Sequence, residues 1–447
     1  MEVEVISRER IRPSSPTPPD LKTYKISLID QLIPPIPVPT VFFYHNTQTT
    51  IPVPDVITKT SLILKHSLAQ TLTIFYPFAG KIKDRLSIDC NDEGVYYVES
   101  RVSNHMSEFL TNPDTRSTRL LLPRESSAQM DSNAGLNVVT IQANFFKCGG
   151  VALAVCASHK IIDGQTYITF LKAWAETTRG FAMEMECPSF IPSNSLFPQN
   201  AALPEDSTLF MWPLLLNQTK FVTRRLVFNA SALTSLKAKA SSSSFFPSRF
   251  EAVSGLIWKC AISASNSSQG TQKPSVLSFT VNFRQKIFPS VNKFVMGNLF
   301  WNGVAQSGPD TGAELHHSVR ILRDEISKID RDFISQMQGE HGFAKVVERL
   351  EELREAYLDE GANYYAFSSV CNAGIYEVDF GWGKPAWVTL PGTDDPLGMN
   401  VIFLLDTRSG DGVEALITLV EEDMAEFEQD PELLAFASFE QSPLEIS

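Results

Sequence analysis

The run Val151-Ala-Leu-Ala-Val-Cys-Ala, closed by Ser158, constrains the fold more than any other stretch of this chain. It is apolar at almost every position, so both of its faces call for burial, and Gly150–Ser158 belongs in the interior of a sheet covered on both sides. Leu136–Phe146 reads as a second strand just before it. Gln165–Arg179 carries Tyr167, Phe170, Leu171 and Trp174 along one face and is followed by Gly180, which predicts an amphipathic helix with a glycine stop. Between strand and helix lies the short loop SHKIIDG, Ser158–Gly164.

The same reading applies to the rest of the chain. Apolar spacing predicts a helix over Ser61–Tyr76 and strands over Arg85–Cys90 and Gly94–Val102 around the turn CNDEG. Cys187–Leu215 breaks the pattern with Pro188, Pro192, Pro198, Pro204 and Pro213, as a long crossover does. Beyond it, helices are predicted at Ala230–Ala240, Glu251–Ala264, Glu314–Ile329 and Ala344–Tyr357. Strands are predicted at Arg225–Phe228, Ser275–Phe283, Gly297–Val304, Tyr364–Ser369, Ile375–Phe380, Ala386–Leu390, Val401–Leu405 and Val413–Val420. Mixed strands and helices in two halves predict an α/β protein with domains at 1–186 and 216–447, joined by a crossover loop at 187–215.

Composition removes several classes of function. Against 38 Lys and Arg stand 51 Asp and Glu, a net charge of −13. Such a chain repels phosphate backbones and anionic lipid at long range, so neither nucleic acid nor membrane is an expected partner. Its six cysteines form no C-x-x-C and no zinc-like spacing with histidine, so no metal site is expected and the thiols read as reduced. The start MEVEVISRERIRPSS has no apolar core of a secretory signal. The expectation is a cytoplasmic protein.

Two short motifs carry candidate chemistry. In the loop after the buried strand, His159 is followed four residues later by Asp163 and then Gly164. A histidine titrates near neutrality and is suited to taking a proton from a hydroxyl, and a strand end holds it rigidly beside a cleft. Asp163 would either orient the imidazole or brace the loop. The second motif is VDFGWGKP, Val378–Pro385. Its glycines permit tight turns and its tryptophan offers a rigid surface. A kinase reading of DFG fails for want of the H-R-D and V-A-I-K partners, and the helix a dinucleotide fingerprint needs is absent after Pro385. A serine-hydrolase elbow, an H-E-x-x-H zinc site and a phosphate loop are missing too.

Taken together, His159-x-x-x-Asp163-Gly164 and Asp379-Phe380-Gly381-Trp382-Gly383 resemble the two signature motifs of the plant BAHD acyltransferases, in the same order and at similar separation. The stretches FYPFAGKI, FKCGG and TVNFR, and Met296-Gly297-Asn298, look like further landmarks of that family. Within it, the chain is most similar to the vinorine synthase and salutaridinol acetyltransferase branch.

The resemblance implies two chloramphenicol-acetyltransferase-like domains and an O-acyltransferase, most simply an O-acetyltransferase, acting on a hydroxyl of an alkaloid or terpenoid. Acyl-CoA, with acetyl-CoA the expected form, would be a co-substrate beside a small-molecule alcohol, with no tightly bound cofactor and a monomeric enzyme. His159 would be the general base in a channel between the domains. Asp163 would pair with Arg284 instead of the imidazole, and Gly164, Asn298, Asp379, Gly381, Trp382 and Gly383 would support the site. Trp382 is also a candidate donor to the oxyanion. Ser248, Arg249, Lys237, Lys239, Ser368 and Ser369 are candidate contacts to the CoA moiety, with Ser248 and Arg249 at a helix start that attracts anions. Relatives read Ser-Trp-x-Arg where this chain has Ser369-Val370-Cys371-Asn372, which alters the cofactor side of the site. A repurposed, non-catalytic homologue and a hydrolase using the same histidine are the alternatives.

Overall fold

The computed structural model describes residues 1–124, 135–181, 188–204, 207, 216, 218–243, 245–287, 294–308, 314–357, 361–391, 398–439 and 442–444. Positions 187, 205, 206 and 208–215 of the crossover lie outside the described residues.

Val151–Ser158 is buried at all eight positions and lies inside a six-stranded sheet. The strand order is Val3–Ile11, Val95–Val102, Val139–Phe146, Val151–Ser158, Pro37–Tyr44 and Trp387–Thr389. Only Val95–Val102 and Val139–Phe146 run parallel. One face packs under the helices Val53–Ile74 and Gly164–Thr178, whose Leu64, Leu68, Leu72, Phe170 and Trp174 share one core with Ile141, Leu153 and Val155. The other face forms a smaller core around Val41, Phe43, Phe146, Ala152 and Trp387. The alanines of the run make this two-sided burial possible, because bulkier side chains would hold the layers apart.

A second, seven-stranded sheet orders Phe300–Ser307, Ser275–Asn282, Asn363–Ser369, Val401–Asp406, Val413–Val420, Phe221–Phe228 and Ser438–Phe439. It is also mixed, with Ser275–Asn282, Asn363–Ser369 and Val401–Asp406 parallel. The helix Arg249–Gln269 covers one face, burying Val253, Leu256, Ile257 and Trp258. The segment 188–204 connects both cores: Phe190 enters the first, Phe197 and Leu203 the second. Trp387–Thr389 is contributed by the C-terminal half to the N-terminal sheet, pairing with Val41–Phe43.

Several elements differ from the sequence expectation for local reasons. Strand Phe300–Ser307 starts three residues after Gly297, because that glycine has φ +104° and turns the chain. Ile375–Phe380 is a 3₁₀ turn and loop, not a strand, after Gly374 at φ +74°. Pro37–Tyr44 is a strand despite Pro37 and Pro39; the second neighbour pairs only from Val41, so the missing N–H groups break no ladder there.

Candidate active site

Ser158 ends the buried strand, and His159 begins a three-residue turn into the loop held at both ends. His159 N–H donates to Ile36 O at 2.8 Å. Asp163 caps the following helix, its Oδ1 accepting from Thr166 N–H at 2.9 Å. The Asp163 carboxylate also receives Arg284 at 2.6 and 3.1 Å and Leu299 N–H at 3.1 Å. Arg284 is fully buried and spends its other donors on Val295 O, Gly297 O and Thr166 Oγ1 at 2.8–3.0 Å. Burial by itself would raise the Asp163 carboxyl, but the guanidinium and the two N–H donors outweigh it and hold it below the usual carboxylate range. This fork is the joint between the His159 loop and the second half of the chain.

The imidazole turns to a different partner. His159 Nδ1 lies 3.2 Å from Asn298 Oδ1. Asn298 Nδ2 faces three oxygens: Asp30 Oδ1 at 2.9 Å, His159 O at 2.8 Å and Lys160 O at 3.1 Å. Only the amide nitrogen can donate to all three, so Oδ1 must face the ring, and His159 Nδ1 must be the protonated nitrogen. Nε2 is thereby left as the ring's unprotonated acceptor. Asp30 anchors the chain, accepting also from Asn298 N–H at 2.7 Å and from Ser27 Oγ at 2.7 Å. Burial raises the Asp30 carboxyl above its ordinary range despite these donors. Burial likewise pulls the His159 imidazole below its ordinary 6.5, only partly offset by the Asp163 charge and the Asn298 contact.

His159 opens on a cavity of about 340 Å³ between the two sheets. Ile29, Leu32, Ile33 and Ile36 form one wall and Phe300 packs on the imidazole, ring centres 5.8 Å apart. The opposite wall is one face of the second sheet, including Ser278, Thr280, Asn302, Ser368 and Phe403. Lys160, buried beside His159, donates to Gln31 O at 3.3 Å and Ile33 O at 3.0 Å and so fastens the first wall to the histidine loop. Gly164 opens the helix close to Val370, with space at its Cα for no more than a hydrogen: a Cβ would sit 2.9 Å from Val370 Cγ1.

The other expected site residues divide. Ser368 lines the cavity, while Ser369 Oγ accepts Cys371 N–H at 3.2 Å. Trp382 does not line it: its ring packs against Tyr44 and Phe380, 5.6 and 5.7 Å away, so its proposed role as oxyanion donor fails. Asp379 Oδ1 instead accepts Gly381 and Gly383 N–H at 2.7 and 2.9 Å, closing a turn in which both glycines have φ above +90°. Ser248 is a helix cap engaged with Glu251. Arg249 bonds Asn372 and Asp406, Lys239 pairs with Glu432 at 2.8 Å, and Lys237 lies 4.7 Å over the Phe246 ring. None of these four lines the cavity. Sequence reading missed Asp30 and Lys160. Ser27-x-x-Asp30 is a capping-box pattern that could have marked the first, whereas no pattern marks the second.

A histidine held by buried polar groups thus stands on an apolar chamber between two mixed sheets. The profile of the Transferase family matches residues 1–434. Limonoid 7-O-acetyltransferase of Citrus sinensis is 40% identical over 99% of this chain and 100% of that protein. Akuammiline synthase 2 of Alstonia scholaris is 33% identical over 98% and 97%. The crystal structure of vinorine synthase superposes with TM-score 0.80 at 33% identity, covering 99% of this chain and 100% of that one. TRI101 of F. sporotrichioides, solved with coenzyme A and T-2, shares the fold at TM-score 0.70 and 18% identity over 93% and 99%. The chain belongs to the Transferase family of BAHD acyltransferases and is an acyltransferase with the α/β, two-domain fold of vinorine synthase.

Proposed function

We propose that this enzyme moves an acetyl group from acetyl-CoA to a hydroxyl of a plant specialised metabolite of terpenoid or alkaloid type, with His159 as general base. The observation that carries this reading is the Asp30–Asn298–His159 chain, which fixes the proton on Nδ1 and leaves Nε2 as the unprotonated acceptor of a ring that lines an apolar cavity. The names of the relatives support it: they include O-acetyltransferases acting on limonoids and enzymes named for alkaloid products.

The domains 1–186 and 216–447, joined through 187–215, bring both substrates to Nε2. His159 takes the hydroxyl proton as the alkoxide oxygen attacks the thioester carbonyl, and the C–S bond then breaks. The imidazolium returns its proton to the departing thiolate, so charge and protons balance. Holding both substrates in one chamber makes the encounter effectively intramolecular. CoA approaches from the side of Ser248 and Arg249, with Lys237 as a further phosphate contact and Ser368 on the wall. Lys239 is already paired and drops out of that set. The enzyme acts as a monomer in the cytoplasm.

The test is His159→Ala assayed with acetyl-CoA against a panel of limonoid and alkaloid alcohols, read by mass spectrometry. Wild type transfers labelled acetyl to an alcohol, and the variant loses about 10²–10⁴-fold in kcat while remaining folded. Label recovered only as free acetate, or undiminished turnover in the variant, overturns the reading.

A further inference from the structure

Alternating residues of the second sheet are partly open on the face that meets the cavity. Ser278 and Thr280 on one strand, Phe300 and Asn302 on the next, and Ser368 and Phe403 beyond them keep exposed surface, while their neighbours Phe279, Trp301, Phe367 and Leu404 are buried. With side chains alternating along a strand, this is one face turned toward the cavity. Across that face Thr280 and Asn302 are direct cross-strand partners. Both line the cavity, and neither side chain has a hydrogen-bond partner among the described residues. A hydroxyl and an amide side by side, unused by the described protein groups, stand out on a lining that is mostly apolar.

The charge of the chamber narrows what they can meet. Among the described lining residues the only ionisable groups are His159, Asp163 and Tyr167. Asp163 is neutralised by Arg284, and burial favours the uncharged forms of His159 and Tyr167. The described wall thus offers a bound ammonium no counter-charge, and desolvating one there is costly. Position narrows it further. Arg249 and Asn372 lie at the ends of the strands Asn363–Ser369 and Val401–Asp406. Thr280 and Asn302 lie on the two strands on the other side of Asn363–Ser369, toward Leu350 and Leu353. If CoA approaches past Arg249, that part of the chamber belongs to the acceptor. Asn302 is two residues along the strand from Phe300, which packs on the His159 ring. Two residues span about 7 Å, too far for an oxygen vicinal to the reacting hydroxyl.

Building on the acetyltransferase reading, we propose that Thr280 and Asn302 read a second oxygen function of the acceptor, so that the acceptor is a neutral polycyclic alcohol carrying a hydroxyl, carbonyl or ester on a ring remote from the one acetylated. The pair determines specificity and takes no part in bond making.

The experiment uses two neutral triterpenoid alcohols, identical except that one lacks the remote oxygen, and a protonated alkaloid alcohol of similar size. Binding to the full chain is read by calorimetry without acetyl-CoA, and turnover separately with it. Wild type is expected to prefer the oxygenated triterpenoid about tenfold, the worth of one neutral hydrogen bond. In Thr280→Val/Asn302→Leu the KM for that acceptor rises about tenfold, the preference disappears, and kcat and the acetyl-CoA KM stay unchanged. A preference that survives the double substitution, a rise in the acetyl-CoA KM alone, or tighter binding of the alkaloid overturns the proposal. Each leaves the acetyltransferase reading standing, since that rests on transfer itself.

Discussion

Arg284 reaches Asp163 across 121 residues of sequence and holds both carboxylate oxygens, at 2.6 and 3.1 Å, in a buried site. The pair fastens the His159 loop to the turn at Gly297, so it sets the position of the imidazole without touching it. Removing one partner strands a buried charge, which costs about 3–5 kcal/mol. Asp163→Ala and Arg284→Met should each lower the unfolding midpoint and activity together, while Asp163→Leu/Arg284→Met regains much of the stability. Because the folded Asp163 carboxyl lies below its ordinary 3.8, its stabilising contribution is complete above that value and fades as pH falls through the lower folded value. Denaturant melts from pH 7 to pH 3 should show the gap between wild type and Asp163→Leu/Arg284→Met narrowing at the acid end; a constant gap would contradict the ion pair.

The pH profile reports the imidazole directly. Burial lowers the His159 pKa below 6.5, so the neutral base persists to more acid pH than an exposed histidine would allow. Activity as kcat/KM should be flat through neutrality and fall only as pH drops below 6.5. An acid limb centred above 6.5 would mean that the group titrating is not this buried ring.

Asn298 passes the anchoring of Asp30 to the ring. In Asn298→Ala the imidazole can turn and exchange tautomers, and Asp30 loses one side-chain donor. Kcat should drop about 10–100-fold, by analogy with the loss of other groups that orient a functional histidine, with the KM for acetyl-CoA little changed. A loss confined to KM would place Asn298 in substrate binding instead.

Local pattern exposed one part of this architecture and hid another. The apolar run Val151–Ser158 and the helix after it are each contiguous, so their periodicity made the strand, the helix and the loop between them legible, and the resemblance carried by the two motifs pointed to His159 in that loop. The ring's surroundings were legible only in part: the resemblance put Asn298 in support of the site, but its contact with the ring and its anchoring by Asp30 join three segments that meet only in the folded chain. Positive charge was misread for a related reason. Lys239 stands out in an acidic chain, yet Glu432, far along the sequence, takes it up, whereas Arg249, which meets Asn372 and Asp406, stays on the side from which CoA is proposed to approach. Trp382 failed as a donor because its motif builds a turn whose aromatic rings pack under the first sheet's helices, away from the cavity.

That turn yields the sharpest separation of architecture from chemistry. Gly381 and Gly383 hold φ of +96° and +92°, and no neighbouring atom lies closer than 3.6 Å to a Cβ built at Gly381, with none within 4 Å at Gly383. Substitution there is opposed by backbone strain, not by collision. Gly381→Ala and Gly383→Ala should therefore each cost about 1–3 kcal/mol of stability, since an L residue rarely occupies that region. Asp379→Asn keeps an oxygen for the two N–H groups but lacks the charge, and should cost less than either alanine. Because the turn lies outside the cavity, all three variants should keep wild-type KM values for acetyl-CoA and acceptor and a kcat within about twofold below their unfolding temperatures. A selective loss of kcat in a folded Gly381→Ala protein would return the turn to the chemistry and reopen the case for Trp382.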